Sequence, residues 1–299
     1  MDRKQKVVKY AAIVFGILLA GAIVTGIVVL ALKGFGVIAK QELKAVDYVQ
    51  SFAAEEIKEI RIENYDGSMR VEIGDEFKVK GKGVPETFGA ECSGEALVVY
   101  YTKENSWFSS FGDIINDFSD AEIVITVPED FVAERLSADN GSGKLVLCGL
   151  QVQELKLQNG SGSMTLEDMT ASAANLRLGS GACKVRGLAA GQLEVRGGSG
   201  RISLAEMELQ GLDITTGSGE LEFAGAVDGD LEVDTGSGNV TMELSNRRTE
   251  YNINVRGGSG GVWLDGEKFS DYGETYEDVE NEMNLDTGSG RVVVEFDTK

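Results

Sequence analysis

Along residues 136–294 apolar side chains recur at fixed offsets from a tripeptide, Gly-Ser-Gly, whose serine stands at Ser142, Ser161, Ser180, Ser199, Ser218, Ser237, Ser259 and Ser289. The first five intervals are 19 residues and the last two are 22 and 30. With each serine counted as zero, positions +3 and +5 run from Leu145 and Leu147 through Cys183 and Val185 to Val292 and Val294, and all sixteen are apolar. Positions −6 and −4, from Leu136 and Ala138 to Met283 and Leu285, are apolar throughout as well. Side chains two apart share one face of a strand, so each unit predicts two half-buried strands that meet at the Gly-Ser-Gly turn. Position +8 adds Leu150, Met169, Leu188, Met207 and Ala226 as corner residues that close the core.

One such unit cannot bury its own apolar faces, whereas parallel stacking of successive units makes a continuous narrow core. The expected fold is all-β: a parallel β-solenoid of about eight 19-residue, two-strand coils over residues 129–299. At the corners, glycine is expected to take positive φ and to let neighbouring coils approach, and the eight serine hydroxyls to stack into a hydrogen-bonded ladder. The extra residues before Ser259 and Ser289 keep the inward positions in register and project as loops, the longest at 265–286.

Upstream, residues 52–128 alternate with period two at Ile57, Ile60 and Ile62, at Val71 and Ile73, at Phe77 and Val79, at Leu97 and Val99, and at Ile123, Ile125 and Val127. Turns at Asp66-Gly67 and Pro85 separate these strands, which predict a β-rich cap over the first coil. Trp107, Phe108, Phe111, Ile114, Ile115 and Phe118 interrupt it with the spacing of a short amphipathic helix. Such a face either plugs the sheet or offers Trp107, Phe108 and Phe111 to a partner or lipid. Leu43, Val46, Val49 and Phe52 recur every three residues, so residues 41–52 are expected to continue briefly the helix that precedes them.

Residues 11–32 carry no charge. As a helix they would extend about 33 Å, matching a hydrocarbon core of about 30 Å. A basic tail at 1–10 with Arg3, Lys4, Lys6 and Lys9 precedes them, and a juxtamembrane linker at 33–51 follows. This pattern predicts one transmembrane helix, a cytoplasmic N-terminus and repeats outside the cell membrane; a cleaved signal peptide is the rival reading.

Composition narrows the chemistry. The chain of 299 residues has 39 glycines, two prolines and no histidine. Without histidine there is no Ser-His-Asp or Cys-His catalysis and no histidine-bound haem, and most zinc sites are excluded. The net charge is −21, and because residues 1–40 hold six basic residues and one acidic, the remainder carries −26. A body this acidic repels phosphate backbones and argues against a nucleic-acid partner. Cys92, Cys148 and Cys183 have no framework spacing and are expected as free thiols.

Two stretches, Asp234-Thr235-Gly236-Ser237 and Asp286-Thr287-Gly288-Ser289, spell the Asp-Thr-Gly-Ser of aspartic proteases. That chemistry needs two carboxylates sharing a proton. In the repeat, however, the same column reads Asp139, Gln158, Arg177, Arg196, Thr215, Asp234, Arg256 and Asp286, an outward and variable position. Stacking in sequence order would place the Arg256 coil between the two aspartates and separate them by about 9–10 Å. The glycine runs lack the Gly-Lys-Ser/Thr ending of a phosphate loop. The 265–286 excursion holds nine acidic residues, among which Asp271, Glu274, Glu277, Asp278, Glu280 and Glu282 are the weak calcium candidates beside the plainer reading of a solvated acidic loop. No cofactor is expected.

The chain from the Ile57–Ile62 strand to Pro128, followed by units such as Asn140-Gly141-Ser142-Gly143-Lys144-Leu145 and Thr216-Gly217-Ser218-Gly219-Glu220-Leu221, resembles the DUF4097 family, described as adhesins of bacterial membranes. The resemblance spans about residues 52–299 and implies a β-solenoid without catalytic residues. The expected function is therefore that of a membrane-anchored, non-enzymatic module of the cell envelope, either binding a protein or envelope component or serving as a scaffold. The alternatives are an envelope-stress sensor signalling through the membrane helix and a carboxylate-based enzyme.

Overall fold

The computed structural model describes residues 43–101 and 118–297. The chain divides into two units, Met1–Leu43 and Lys44–Lys299, and the architecture below is that of the second.

The 19-residue period becomes the register between coils. Leu155 lies beside Leu136 on one side and Ala174 on the other, and the strands run parallel. All sixteen residues at +3 and +5, and all sixteen at −6 and −4, are buried. A coil consists of a strand leading into the Gly-Ser-Gly corner and one leading away. In two places the pairing between coils continues through the second bend, so that a single strand, Ser163–Leu178 or Ala182–Gly197, runs on into the next coil. At +8, Leu150, Met169, Leu188 and Met207 are buried as expected. The register shifts after Leu204, so Gly225 pairs with Met207; Ala226 is only half-buried, and Val227 reaches the core instead.

The stack is longer than the repeats suggest. Glu59–Asn64 and Ser68–Gly74 form a coil directly beneath the Ser142 coil, with Ile60 beside Leu136 and Met69 beside Leu145. Ala96–Tyr100 and Glu122–Pro128 form another, stacked on that one in parallel. With the eight Gly-Ser-Gly units this makes ten coils among the described residues.

At both ends the order in space differs from the order in sequence. The chain lays down the 59–74 coil, then the outermost 96–128 coil, and then returns to continue from the first. At the far end the Ser289 coil stacks directly on the Ser237 coil, and the Ser259 coil lies outermost. Each outermost coil is covered by two antiparallel strands. Gly89–Ser93 and Phe77–Pro85 cover one end, and Asp271–Glu274 and Glu267–Phe269 cover the other. Such covering blocks the edge-to-edge pairing that an open stack would invite.

Two expectations are corrected here. Residues Ala45–Phe52 form a strand antiparallel to Phe77–Pro85 and not a helix. Their valines and aromatics favour extended backbone. Tyr48 packs edge-on against Phe88 at 5.1 Å, while Val49 stays 67% exposed. The spanning helix expected at 11–32, with its basic tail and most of its linker, lies outside the described residues. Among the described residues no helix is long and apolar enough to cross a membrane, and helical geometry is confined to two short 3-10 turns, Ala54–Glu56 and Arg248–Glu250. Most apolar residues of this unit follow period two and fill the solenoid core. The single-pass cell-membrane topology, the membrane as a partner, the membrane-protein part of the family expectation and the sensor signalling through a helix therefore have no support in the structure, which is that of an all-β repeat module.

Candidate functional site

The Gly-Ser-Gly corners form one edge of the stack, and their geometry follows from backbone contact. A Cβ on Gly162 would lie 2.1 Å from the carbonyl oxygen of Gly143, and one on Gly181 only 2.0 Å from that of Gly162. The second glycine is thus required because the neighbouring coil occupies the space. None of the corner glycines has positive φ, which corrects half of the expected reason for them. Left-handed backbone occurs instead at the opposite bend, at Gly149, Asp168, Gly187 and Glu206.

The eight serines Ser142, Ser161, Ser180, Ser199, Ser218, Ser237, Ser259 and Ser289 are exposed along this edge. Polar groups gather instead, in two runs, at the residue just before the triplet, Asn140 and Asn159 in one and Thr216, Thr235 and Thr287 in the other, while Leu178, Gly197 and Gly257 hold that place elsewhere. Asn64 Nδ2 donates to Asn140 Oδ1 at 2.7 Å, and Asn140 Nδ2 donates to Asn159 Oδ1 at 2.6 Å and to the Gly143 carbonyl at 3.0 Å. Farther along, Thr216 Oγ1 donates to Thr235 Oγ1 at 2.9 Å, and Thr235 and Thr287 each donate to the carbonyl three residues on. These side chains are buried, so a polar spine lies directly beneath the corner.

The outward column at −3 forms a wall above this spine. In space it reads Glu63, Asp139, Gln158, Arg177, Arg196, Thr215, Asp234, Asp286 and Arg256. Between that wall and the side-chain-free backbone of Gly141, Gly160, Gly179 and Gly198 runs an open trough of about 780 Å³, reaching from Tyr65 to Thr215. Its floor is bare from Gly141 to Gly198, where corner glycines supply it, and at the first coil Tyr65 takes their place. Arg177 and Arg196 stand side by side in its fourth and fifth coils, toward the Thr215 end. Arg196 pairs with Glu194 of its own strand, whereas Arg177 makes no ion pair among the described residues. Glu63 and Asp139 are neighbours at the other end. Desolvation pushes both carboxyls above the usual carboxylate range, and for Glu63 the charge of Asp139 adds to the effect.

Asp234 and Asp286 are direct register partners. The expected separation by the Arg256 coil is therefore corrected: the Ser289 coil lies between the other two, and Arg256 reaches Asp286 from the outer side at 3.9 Å. The pair stands on the open outer face, with the Asp286 side chain 43% exposed. A protease dyad needs a shared proton in an enclosed site, which this face does not provide.

The acidic excursion is mainly a covering element. Asp271 pairs with Arg256 across an antiparallel ladder. Glu274 accepts hydrogen bonds from Arg248 Nε and Tyr272 Oη, each at 2.9 Å, and from Tyr276. Burial would raise its pKa, but the bonds from Tyr276, Tyr272 and Arg248 hold it below the usual carboxylate range. Glu282 opens the next strand, its backbone N–H donating to Asp230 Oδ1 at 2.9 Å. Glu277, Asp278 and Glu280 point into solvent. Among the described residues no three carboxylate or thiol groups converge in a way that could hold a metal. Cys92, Cys148 and Cys183 are free thiols. Trp107, Phe108 and Phe111 lie outside the described residues.

The trough, the asparagine ladder and the reversed order of the end coils escaped the sequence reading. A signal for the ladder was present in the matching spacing of Ile60, Ile62, Asn64, Met69 and Val71 with Leu136, Ala138, Asn140, Leu145 and Leu147.

A family model described as Toastrack DUF4097 matches residues 56–295. No curated protein matches the chain. Among solved structures, a protein of Parabacteroides distasonis provisionally named as lipid binding is similar over 85% of this chain and 98% of its own, with a TM-score of 0.55 and 15% identity. A provisionally named adhesin of Parabacteroides merdae is similar over 84% of this chain and 96% of its own, with a TM-score of 0.53 and 14% identity. At these identities the likeness is one of fold.

Proposed function

Because the chain belongs to the Toastrack DUF4097 family, we propose that it works as an adhesin-like binding module whose contact surface is the Gly-Ser-Gly edge. The protein is a non-catalytic structural module. The observation that carries the reading is the trough, where six coils bring Glu63, Asp139, Gln158, Arg177, Arg196 and Thr215 into line along a floor that is bare at Gly141, Gly160, Gly179 and Gly198. A rigid repeat holds such groups at fixed intervals without ordering a loop on binding, which lowers the entropic cost of association. The adhesin name of the Parabacteroides merdae structure supports the same class of role.

The test is a binding panel of immobilised peptides, glycans and lipid vesicles offered to the full chain. An Arg177→Ser/Arg196→Ser variant and, on the opposite sheet, a Glu222→Ser variant are compared with it. The reading expects at least one saturable ligand, lost in the first variant and kept in the second. Loss of the ligand in Glu222→Ser alone, or no saturable ligand at all, overturns it.

A further inference from the structure

The dimensions of the trough limit what can lie in it. Six coils at about 4.8 Å spacing give a length of about 24 Å, the reach of about seven residues of extended chain.

Its charges are sorted by position. Glu63 and Asp139 occupy the first two coils, Gln158 the third, and Arg177 and Arg196 the next two. The centres of the acidic and basic pairs are three coils apart, about 14 Å. An extended peptide advances about 3.4 Å per residue, so this separation corresponds to four residues, and residues four apart lie on the same face of the chain. On a chain of net charge −21, an arginine pair with one member free of any ion pair among the described residues is a local site for an anion.

We infer that the trough binds an extended peptide segment carrying a basic and an acidic side chain four positions apart, the basic one at Glu63 and Asp139 and the acidic one at Arg177 and Arg196. This rests on the corner edge being the contact surface, and it adds the chemistry and spacing of the ligand. Register is read by the coil repeat: a ligand with its opposite charges adjacent can satisfy only one pair at a time.

Fluorescence anisotropy of the full chain with labelled eight-residue peptides tests this directly. One peptide carries Lys and Glu four apart, one carries them adjacent, one has two Lys and one has two Glu, with inorganic phosphate as competitor. At low salt the four-apart peptide should bind at least fivefold more tightly than each of the others. In the Arg177→Gln/Arg196→Gln variant its advantage over the two-Lys peptide should vanish. In a folded Glu63→Lys/Asp139→Lys variant, verified by circular dichroism, the preference should move to the two-Glu peptide. Equal affinity for all spacings, binding of the two-Glu peptide or phosphate as tight as the four-apart peptide, or binding of a zwitterionic polysaccharide with none of the peptides overturns the inference. If the panel ligand described above still depends on Arg177 and Arg196, the edge remains the contact surface and only the peptide chemistry falls.

Discussion

Asp234 and Asp286 are partners on adjacent parallel strands, although the coil bearing Arg256 stands between them in sequence. Like charges directly opposite one another weaken a sheet, and only Asp286 has a nearby cation, at 3.9 Å. Asp234→Asn should therefore stabilise the protein by a few tenths of a kcal/mol, up to about 1 kcal/mol. Asp286→Asn should gain less, because it also loses Arg256. Denaturant unfolding of both variants checks the order of the effects, and a destabilised Asp234→Asn would count against this coil arrangement.

The corner leaves no room for a methyl group at its second glycine. Gly181→Ala places a carbon 2.0 Å from the Gly162 carbonyl oxygen, a backbone atom that cannot swing aside. The expected loss is about 2 kcal/mol or more, whereas Ser180→Ala beside it, at an exposed position, should stay within about 0.5 kcal/mol of wild type. Thermal melts of the two variants measured together give the comparison.

At the opposite bend the conformational argument applies. Glu206 holds φ at 56°, where an ordinary side chain is strained, and its ion pair with Arg186 is exposed. Such a pair contributes little, so relief of strain dominates. Glu206→Gly should stabilise by about 1 kcal/mol, and Gly187→Ala, at φ 69°, should destabilise by a similar amount. Opposite signs in a urea titration are the expected outcome.

The asparagine ladder depends on continuity. Asn140→Leu orphans the Asn159 oxygen and leaves the Asn64 amide with only its bond to the Lys144 carbonyl at 3.3 Å, at a cost of about 1–3 kcal/mol for the orphaned oxygen. Replacing Asn64, Asn140 and Asn159 together by Leu should cost less than the single change, since Leu178 already occupies the same column buried. A triple variant less stable than Asn140→Leu would show that the spine contributes more than mutual satisfaction.

Glu63 and Asp139 give the trough a pH signature. Both folded-state pKa values are raised by desolvation, the first also by the charge of Asp139. Between the unfolded values, about 3.9–4.3, and the raised folded values, the native state keeps protons that the unfolded chain has released. These groups therefore lower stability as pH rises through that window. Glu63→Gln/Asp139→Asn should be more stable than wild type near pH 7, with the difference shrinking toward pH 3. A difference independent of pH would contradict the assignment.

The columns were legible because sixteen plus sixteen positions repeat without exception, and only one arrangement buries them all. The coil at 59–74 was harder to read because Tyr65-Asp66-Gly67 stands where Gly-Ser-Gly stands elsewhere, although the count from Asn64 to Met69 is the same. The order of the end coils was not legible. Insertions of three and eleven residues preserve inward alternation whichever neighbour a coil chooses, and the choice is made by long-range pairing. The serine ladder was misplaced for a simpler reason: an outward corner hydroxyl meets water, while Asn140 and Thr235, one position before the triplet, face inward and need a partner.

The central claim is that this protein meets its ligand along the Gly-Ser-Gly edge, and site-specific photo-crosslinking in intact cells tests it most directly. A photoreactive residue is placed in turn at Ser161, Ser180 and Ser199 on the edge, and at Glu222 and Thr241 on the outer face of the opposite sheet, all exposed positions. The account predicts a common adduct from the three edge positions and none from the two on the sheet. An adduct formed only from Glu222 or Thr241, or none from any edge position, would contradict it.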